Sequence, residues 1–339
     1  MKHLRTSVFL ILLMLPATML AQVKTGTMGV SFLKIGTSAR AAAMGDAFLP
    51  LADDVSALFY NPAGLIQLEK PEAAFTHLMM FDNIGLNLEW VGYAKPFLRR
   101  GNVISVVGVS ATFLHTDMMD VTTPIHSEGT GEQFNYTDLA VGLTWTQRLT
   151  NKFAVGTTVK LINESTYGEN ALGWAADVGT YYDTNWRTVR LAMMISNFGP
   201  DLTFVETPYP LPIEFRFGIG ATPIHNDMHN LEVSFQFGHP SDNVELAIVG
   251  LEYEWNEFLA LRFGKKINGL RRYTLEDYQD NIDHDPHVEY PILGEDGTLS
   301  LDGVSWGVGI KWQTFHADFG FVLNEYLGSH KFVSLQYQF

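Results

Sequence analysis

The chain has 339 residues, no cysteine and a formal charge of -15, from 22 Lys and Arg against 37 Asp and Glu. Without cysteine there is no disulfide framework, thiol nucleophile, Cys-based metal site or lipoprotein anchor. So acidic a chain lacks the clustered Lys and Arg that a phosphate backbone needs, which excludes nucleic acid as a partner.

Residues 1–21 read as a cleaved secretory signal. Lys2 and Arg5 lead, Val8 to Leu15 form a short apolar core, and Ala21 offers a small residue for cleavage. The apolar run falls short of the roughly 20 residues of a membrane-spanning helix. The mature chain then starts near Gln22, outside the cytoplasm. Residues 22–70 do not alternate like strands. Ser38 to Gly45 is rich in small residues and stops at glycine. Asp53 or Asp54 can cap a short helix through Ala57 and Leu58, and Asn61-Pro62 ends it. This segment is too small for a separate domain. Its simplest place is inside a barrel or across its periplasmic mouth, as a hatch.

From residue 71 to 339 the chain alternates apolar and polar residues, as in Phe153 to Leu161, Leu231 to Phe237 and Val304 to Trp312. The runs suit the roughly 9–11 residues of a tilted transmembrane strand. Fourteen strands are predicted, near 72–80, 86–95, 103–114, 135–148, 152–163, 173–183, 188–196, 213–222, 230–238, 244–255, 258–264, 304–313, 315–323 and 331–339. The long connections 115–134, 197–212 and 265–303 all follow odd strands, and the short ones all follow even strands. Short periplasmic turns and longer outer loops have this parity. The expected fold is an all-β, 14-stranded antiparallel transmembrane barrel in the outer membrane of a Gram-negative bacterium, in contact with its lipid. Trp145, Trp255, Trp306 and Trp312 form an aromatic girdle. Val333, Leu335, Tyr337 and Phe339 lie on one face of the closing strand.

Alternation places Asp138, Lys160, Glu214, Arg216, Glu232, Glu252, Glu254, Arg262, Lys311, His316 and Asp318 on the inner face. Buried polar groups must be paired, so these are expected to form salt bridges with one another and with the hatch, Arg40 included. Gly142, Gly156, Gly218, Gly220, Gly307 and Gly309 share that face and leave room for a packed hatch. His316 and Asp318 sit two apart on one strand, but no Gly-x-Ser-x-Gly elbow is present. His225/His229 and His284/His287 have metal-like spacing without the Glu of a metalloprotease motif. No catalytic site, metal or cofactor is expected. Loop 265–303 mixes acids with Tyr273, Tyr278 and Tyr290, which suits a lid or a partner-binding surface.

Three stretches carry a resemblance: Ser31 to Phe48, Asp53 to Leu58, and Asn61-Pro62-Ala63-Gly64-Leu65. Together they resemble the N-terminal signature of the PorV/PorQ family, within the wider FadL-like group of outer-membrane proteins. The resemblance implies a 14-stranded barrel whose hatch motif includes Arg40, Gly45, Asp46, Asp53, Asp54, Asn61, Pro62, Ala63 and Gly64. For function it implies a non-enzymatic accessory factor in type IX secretion or cell-surface assembly, with secretion components or cargo sorting domains as partners. The alternative is a FadL-like channel for a hydrophobic small molecule, with an apolar pocket against the hatch and an opening in the wall.

Overall fold

The structure is a computed structural model and describes residues 28–82, 84–268, 301–324 and 328–339. The predicted signal and the loop residues Tyr273, Tyr278, Tyr290, His284 and His287 lie outside the described residues.

Fourteen antiparallel strands close a barrel. They are β1 (Glu72–Met79), β2 (Leu86–Arg99), β3 (Asn102–Thr116), β4 (Tyr136–Arg148), β5 (Phe153–Thr166), β6 (Glu169–Asp183) and β7 (Arg190–Phe198). The second half comprises β8 (Glu214–His225), β9 (His229–Pro240), β10 (Leu246–Trp255), β11 (Leu259–Asn268), β12 (Val304–Trp312), β13 (Phe315–Val322) and β14 (His330–Gln338). Each strand pairs with its sequence neighbour, and β14 closes on β1 from Glu72↔Gln338 to Met79↔Lys331. All fourteen predicted strands are present. Two short hairpins, Met119–Asp120 with Gln133–Phe134 and Leu202–Phe204 with Thr207–Tyr209, stand outside the barrel sheet. The alternation did not reveal them, because runs of two or three residues are too short to carry a period.

One face of each strand is exposed and apolar: Val107, Val109, Val141, Leu143, Val159, Leu161, Phe235 and Leu335 all point outward. Trp145, Trp255, Trp306 and Trp312 are exposed too. At the seam Phe339 packs on Tyr337 at 4.8 Å and on Tyr93 at 6.0 Å, which builds a girdle at the short-turn rim. Such a surface is stable only against lipid. Leu143→Arg is therefore expected to cost about 2–4 kcal/mol, the range for a cation near the bilayer midplane. Folding titrations into lipid vesicles would measure it, with Ser127→Arg at an exposed loop residue as the neutral comparison.

The other face is buried because residues 28–71 lie inside the barrel. Their helices are short: a 3₁₀ turn at Ser31–Lys34, α1 at Ala39–Ala43, α2 at Ala57–Tyr60 and a 3₁₀ run at Pro62–Gln67. Helices this short are not stable alone, so packing against the wall holds them. Ala39, Ala41, Ala42, Ala43, Phe48, Leu51, Val55, Ala57 and Leu65 are within 1% of complete burial. Ser38 caps α1 through Ala41 N–H, and Gly45 follows it at φ +68°, as the small-residue run and its glycine predicted. Asp54 acts one step earlier than predicted, accepting from Ser56 N–H at 2.8 Å, so α2 begins at Ala57 with Ser56 as its N-cap.

The inner-face glycines explain the fit. A Cβ on Gly264 would stand 2.1 Å from the Met44 carbonyl carbon, and one on Gly156 would stand 2.3 Å from that of Pro62. Gly218 and Gly220 face Pro50, Gly307 faces Ala43, and Gly320 faces Ala39. Backbone thus packs on backbone around much of the wall. Gly142 and Gly309 instead make room for Lys160 and Ser110 and for Arg262 and Asp318, respectively.

Candidate functional site

Arg40 is the hub of the ion-pair network. From α1 it reaches Asp53 at 2.6 Å and Asp54 at 2.9 Å within its own segment. It also forks onto Glu252 of β10, Nη2 to Oε1 at 2.7 Å and Nε to Oε2 at 2.9 Å. Glu252 is shared with Arg262, which also pairs with Asp318 at 2.6 Å. Glu232 joins from β9, 3.6 Å from Arg40 and 2.5 Å from Arg190. Lys311 pairs with Glu254. Burial works against the Arg40 charge, but Asp53, Glu252 and Asp54 outweigh it and hold the guanidinium well above its ordinary pKa. The predicted inner-face charges are therefore largely paired, and Arg40 is one of their partners. Asp318 binds Arg262, so the carboxylate of the two-apart His316/Asp318 pair belongs to this network. His225 and His229 cap strand ends and bond Asn230 and Tyr253 instead.

The Asn61-Pro62-Ala63 turn is pinned separately. Asn61 donates to Leu49 C=O at 3.1 Å and to Thr180 C=O of β6 at 3.2 Å, and accepts from Ala63 N–H at 3.1 Å. Thr146 of β4 donates to Pro62 C=O. Asn61→Ala would orphan buried backbone groups at about 1–3 kcal/mol each. A lower midpoint of thermal unfolding is the expected outcome, with Gln67→Ala milder. Gly64 needs its missing side chain, since a Cβ there would meet Ala52 C=O at 2.1 Å.

Two spaces flank this segment. The larger, about 210 Å³, lies toward the long-loop rim between the segment and β8–β11. Its lining includes Phe59, Tyr60, Asp46, Arg216 and Gln236. Ion pairs edge it: Lys34 with Asp242, and Lys266 with Asp46 at 3.2 Å. Tyr60 accepts from Thr37 N–H and donates to Asp46, both at 3.1 Å. Burial, then Asp46, pushes its hydroxyl well above the usual range, so it stays a neutral donor. This cavity is mixed, where the channel alternative expected an apolar one. The second space is a narrow cleft of about 10 Å³, lined mostly by Leu33, Leu58, Phe59, Trp90 and Ala140, with Ser110, Thr112 and Lys160 among them. Phe59 borders both. Trp90 was not singled out from the sequence. In Leu88-Glu-Trp90-Val-Gly-Tyr93 the buried Leu88, Trp90 and Gly92 meet the inner segment while the exposed Val91 and Tyr93 face outward, so apolar residues on both faces blur the alternation.

Among the described residues the barrel register shifts at Phe97/Leu98 in β2–β3, at Ala221/Ile224 in β8–β9 and once in β6–β7. The β6–β7 register slips between Ala176 and Val178. Asn197 sits there at φ +59°, almost fully buried.

No family model matches the chain, and no curated protein does. Solved structures do match. The toluene transporter TodX of Pseudomonas putida aligns at 13% identity and TM-score 0.58, over 89% of this chain and 96% of that one. The toluene transporter TbuX of Ralstonia pickettii aligns at 14% and 0.55, over 90% and 98%. A FadL homologue of Pseudomonas aeruginosa aligns at 12% and 0.54, over 93% and 100%. At such identities the likeness is one of fold: this chain folds like FadL-type outer-membrane barrels across nearly its whole length.

Proposed function

We propose that this protein is an outer-membrane channel for small hydrophobic molecules, with residues 22–70 as a hatch fixed inside the barrel of residues 71–339. The observation that carries this reading is Phe59, which stands between a mixed cavity at the long-loop rim and a mostly apolar cleft deeper in the lumen. The cleft, at about 10 Å³, must widen to take a solute, and a molecule that sheds water in the first space would then meet Leu33, Leu58, Trp90 and Ala140. Burying apolar area is worth about 25 cal/mol per Å², enough to draw such a solute inward. The fold likeness to two toluene transporters favours the same class. No catalytic role is proposed.

The type IX secretion role rests on the N-terminal resemblance and on the tyrosines of loop 265–303, and no comparison lends it support. The test is uptake of the dye N-phenyl-1-naphthylamine, which fluoresces on reaching apolar surroundings, by intact cells with and without the protein. Faster uptake with the protein is the expected result. Equal rates, together with recovery of secretion-machinery components by pull-down, would reverse the ranking.

A further inference from the structure

The exposed cations of the short-turn rim are segregated to one side. Three neighbouring connections, β2–β3, β4–β5 and β6–β7, counted with their strand ends as residues 98–101, 149–152 and 184–189, carry Arg99, Arg100, Lys152 and Arg187 and no acid. The next three, residues 226–228, 256–258 and 313–314, carry Asp227 and Glu257 and no Lys or Arg. The positive side stands out in a chain of formal charge -15. None of its four cations pairs with an acid among the described residues. Arg99, Arg100 and Arg187 are exposed, and Lys152 donates to Thr184 C=O at 3.3 Å. Arg148 and Arg190, close by, are spent differently: Arg148 donates to Val103 and Ile66 C=O, and Arg190 pairs with Glu232. Arg100 and Arg187 also stand in left-handed backbone, at φ +53° and +48°, where Asn or Gly sits with less strain. Turn geometry therefore does not account for arginine at either place.

A fifth cation joins them from the lipid-facing surface. Lys95 is exposed on the outward face of β2, between Tyr93 and Phe97. Its register partner is Val107 of β3, which in turn pairs with Trp145 of β4, and both point outward. A cation on this face is costly at the bilayer midplane and nearly free at the interface. There its stem lies along apolar surface while the ammonium reaches the headgroups. Lys95 is four residues from the end of β2, within that zone. The register shift after Phe97 leaves both Phe97 and Leu98 exposed. Leu149 and Trp186 are exposed at the next two turns, and the Arg187 guanidinium lies 5.7 Å from the Trp186 ring. Cations thus alternate with apolar side chains along this side of the rim.

We propose that Lys95, Arg99, Arg100, Lys152 and Arg187 form a crescent that gathers anionic phospholipids, with the cations on the headgroup phosphates and Phe97, Leu98, Leu149 and Trp186 among the upper acyl chains. A face for an acidic protein in water has no use for Lys95 on the lipid side. The short-turn rim is the expected periplasmic side, where the leaflet is phospholipid. The crescent does not depend on what the lumen carries.

A chain without cysteine allows one fluorophore on either side of the rim. Bimane is placed on Leu149→Cys, beside the crescent, or on Phe258→Cys, in the β10–β11 turn. The protein is folded into phosphatidylcholine vesicles in which a fraction of the lipid is brominated, as phosphatidylglycerol or as phosphatidylcholine. Heat-modifiable migration confirms that each variant is folded. Brominated phosphatidylglycerol should quench the Leu149→Cys probe as if enriched about fivefold over the bulk, the factor for one cation at an anionic surface. At Phe258→Cys the two lipids should quench equally. The preference should shrink in about 1 M NaCl, where the screening length is short. It should vanish with Lys95→Gln, Arg99→Gln, Arg100→Gln and Arg187→Gln combined. Equal quenching by the two lipids at Leu149→Cys overturns the proposal. So does the same preference at both probes, or one that survives the four substitutions. No lipid preference, with soluble polyglutamate binding the wild type but not the fourfold variant, assigns the crescent to an acidic polypeptide instead.

Discussion

Arg40→Ala is expected to loosen the inner segment and turn a plugged barrel into a conducting one. The side chain is 11% exposed and forks onto Glu252, which is itself fully buried. Removing it leaves Asp53 and Asp54 without their cation and Glu252 with Arg262 alone. Breaking a buried ion pair from one side costs about 3–5 kcal/mol, because the remaining charge stays out of water. Few of the segment's other ties are charged, so most of that loss falls on its docking and little on the barrel ladders. Planar-bilayer recordings should show larger and more frequent openings, with the barrel still folded by its heat-modifiable migration on gels. Arg40→Lys should rescue only in part, since an ammonium cannot fork onto a carboxylate while reaching two others. Wild-type conductance in Arg40→Ala would mean that packing alone holds the segment.

The second large effect is expected from Gly264→Leu. The added Cβ would fall 2.1 Å from the Met44 carbonyl carbon and 2.2 Å from Gly45 N. Both neighbours are backbone, and Gly45 is held at φ +68°, so they cannot step aside as a flexible side chain would. Overpacking of this kind costs about 1–3 kcal/mol when the site can relax and more when it cannot. The strand can keep its ladder by expelling the segment, so protease cleavage within residues 31–67 should appear in intact barrels. Asn102→Leu, at an exposed residue beside the β2–β3 turn, should leave the cleavage pattern unchanged. If Gly264→Leu remains as resistant as wild type, the close backbone contact is not what seats the segment.

These two positions mark how far the sequence was legible. Strand number, order and closure follow from period-2 alternation and from the parity of long and short connections. That the inner face would carry paired charges, with Arg40 among the partners, follows from the cost of burying polar groups. Glycines at Gly156, Gly218, Gly220 and Gly307 pointed to something packed inside. The acids that Arg40 would choose were not legible, because Asp53 and Glu252 meet only once the segment is folded back across the lumen. Nor was the break at Asn197: Ser196-Asn-Phe-Gly-Pro200 reads as an ordinary strand end, whereas β6 runs on past it. The mixed lining of the larger cavity was missed for a similar reason. It gathers Lys34 and Asp46 of the inner segment against Arg216 of β8 and Gln236 of β9, whose individual patterns say nothing of their meeting.

The claim that this barrel takes small hydrophobic molecules into its lumen is tested most directly by soaking crystals of the protein with iodobenzene and locating the iodine by anomalous scattering. The account predicts a peak in the cleft beside Phe59, Leu58 and Trp90, widened from its resting volume of about 10 Å³ by the bound solute. Iodine found on the outward, lipid-facing surface alone, with none between the inner segment and the wall, would contradict it.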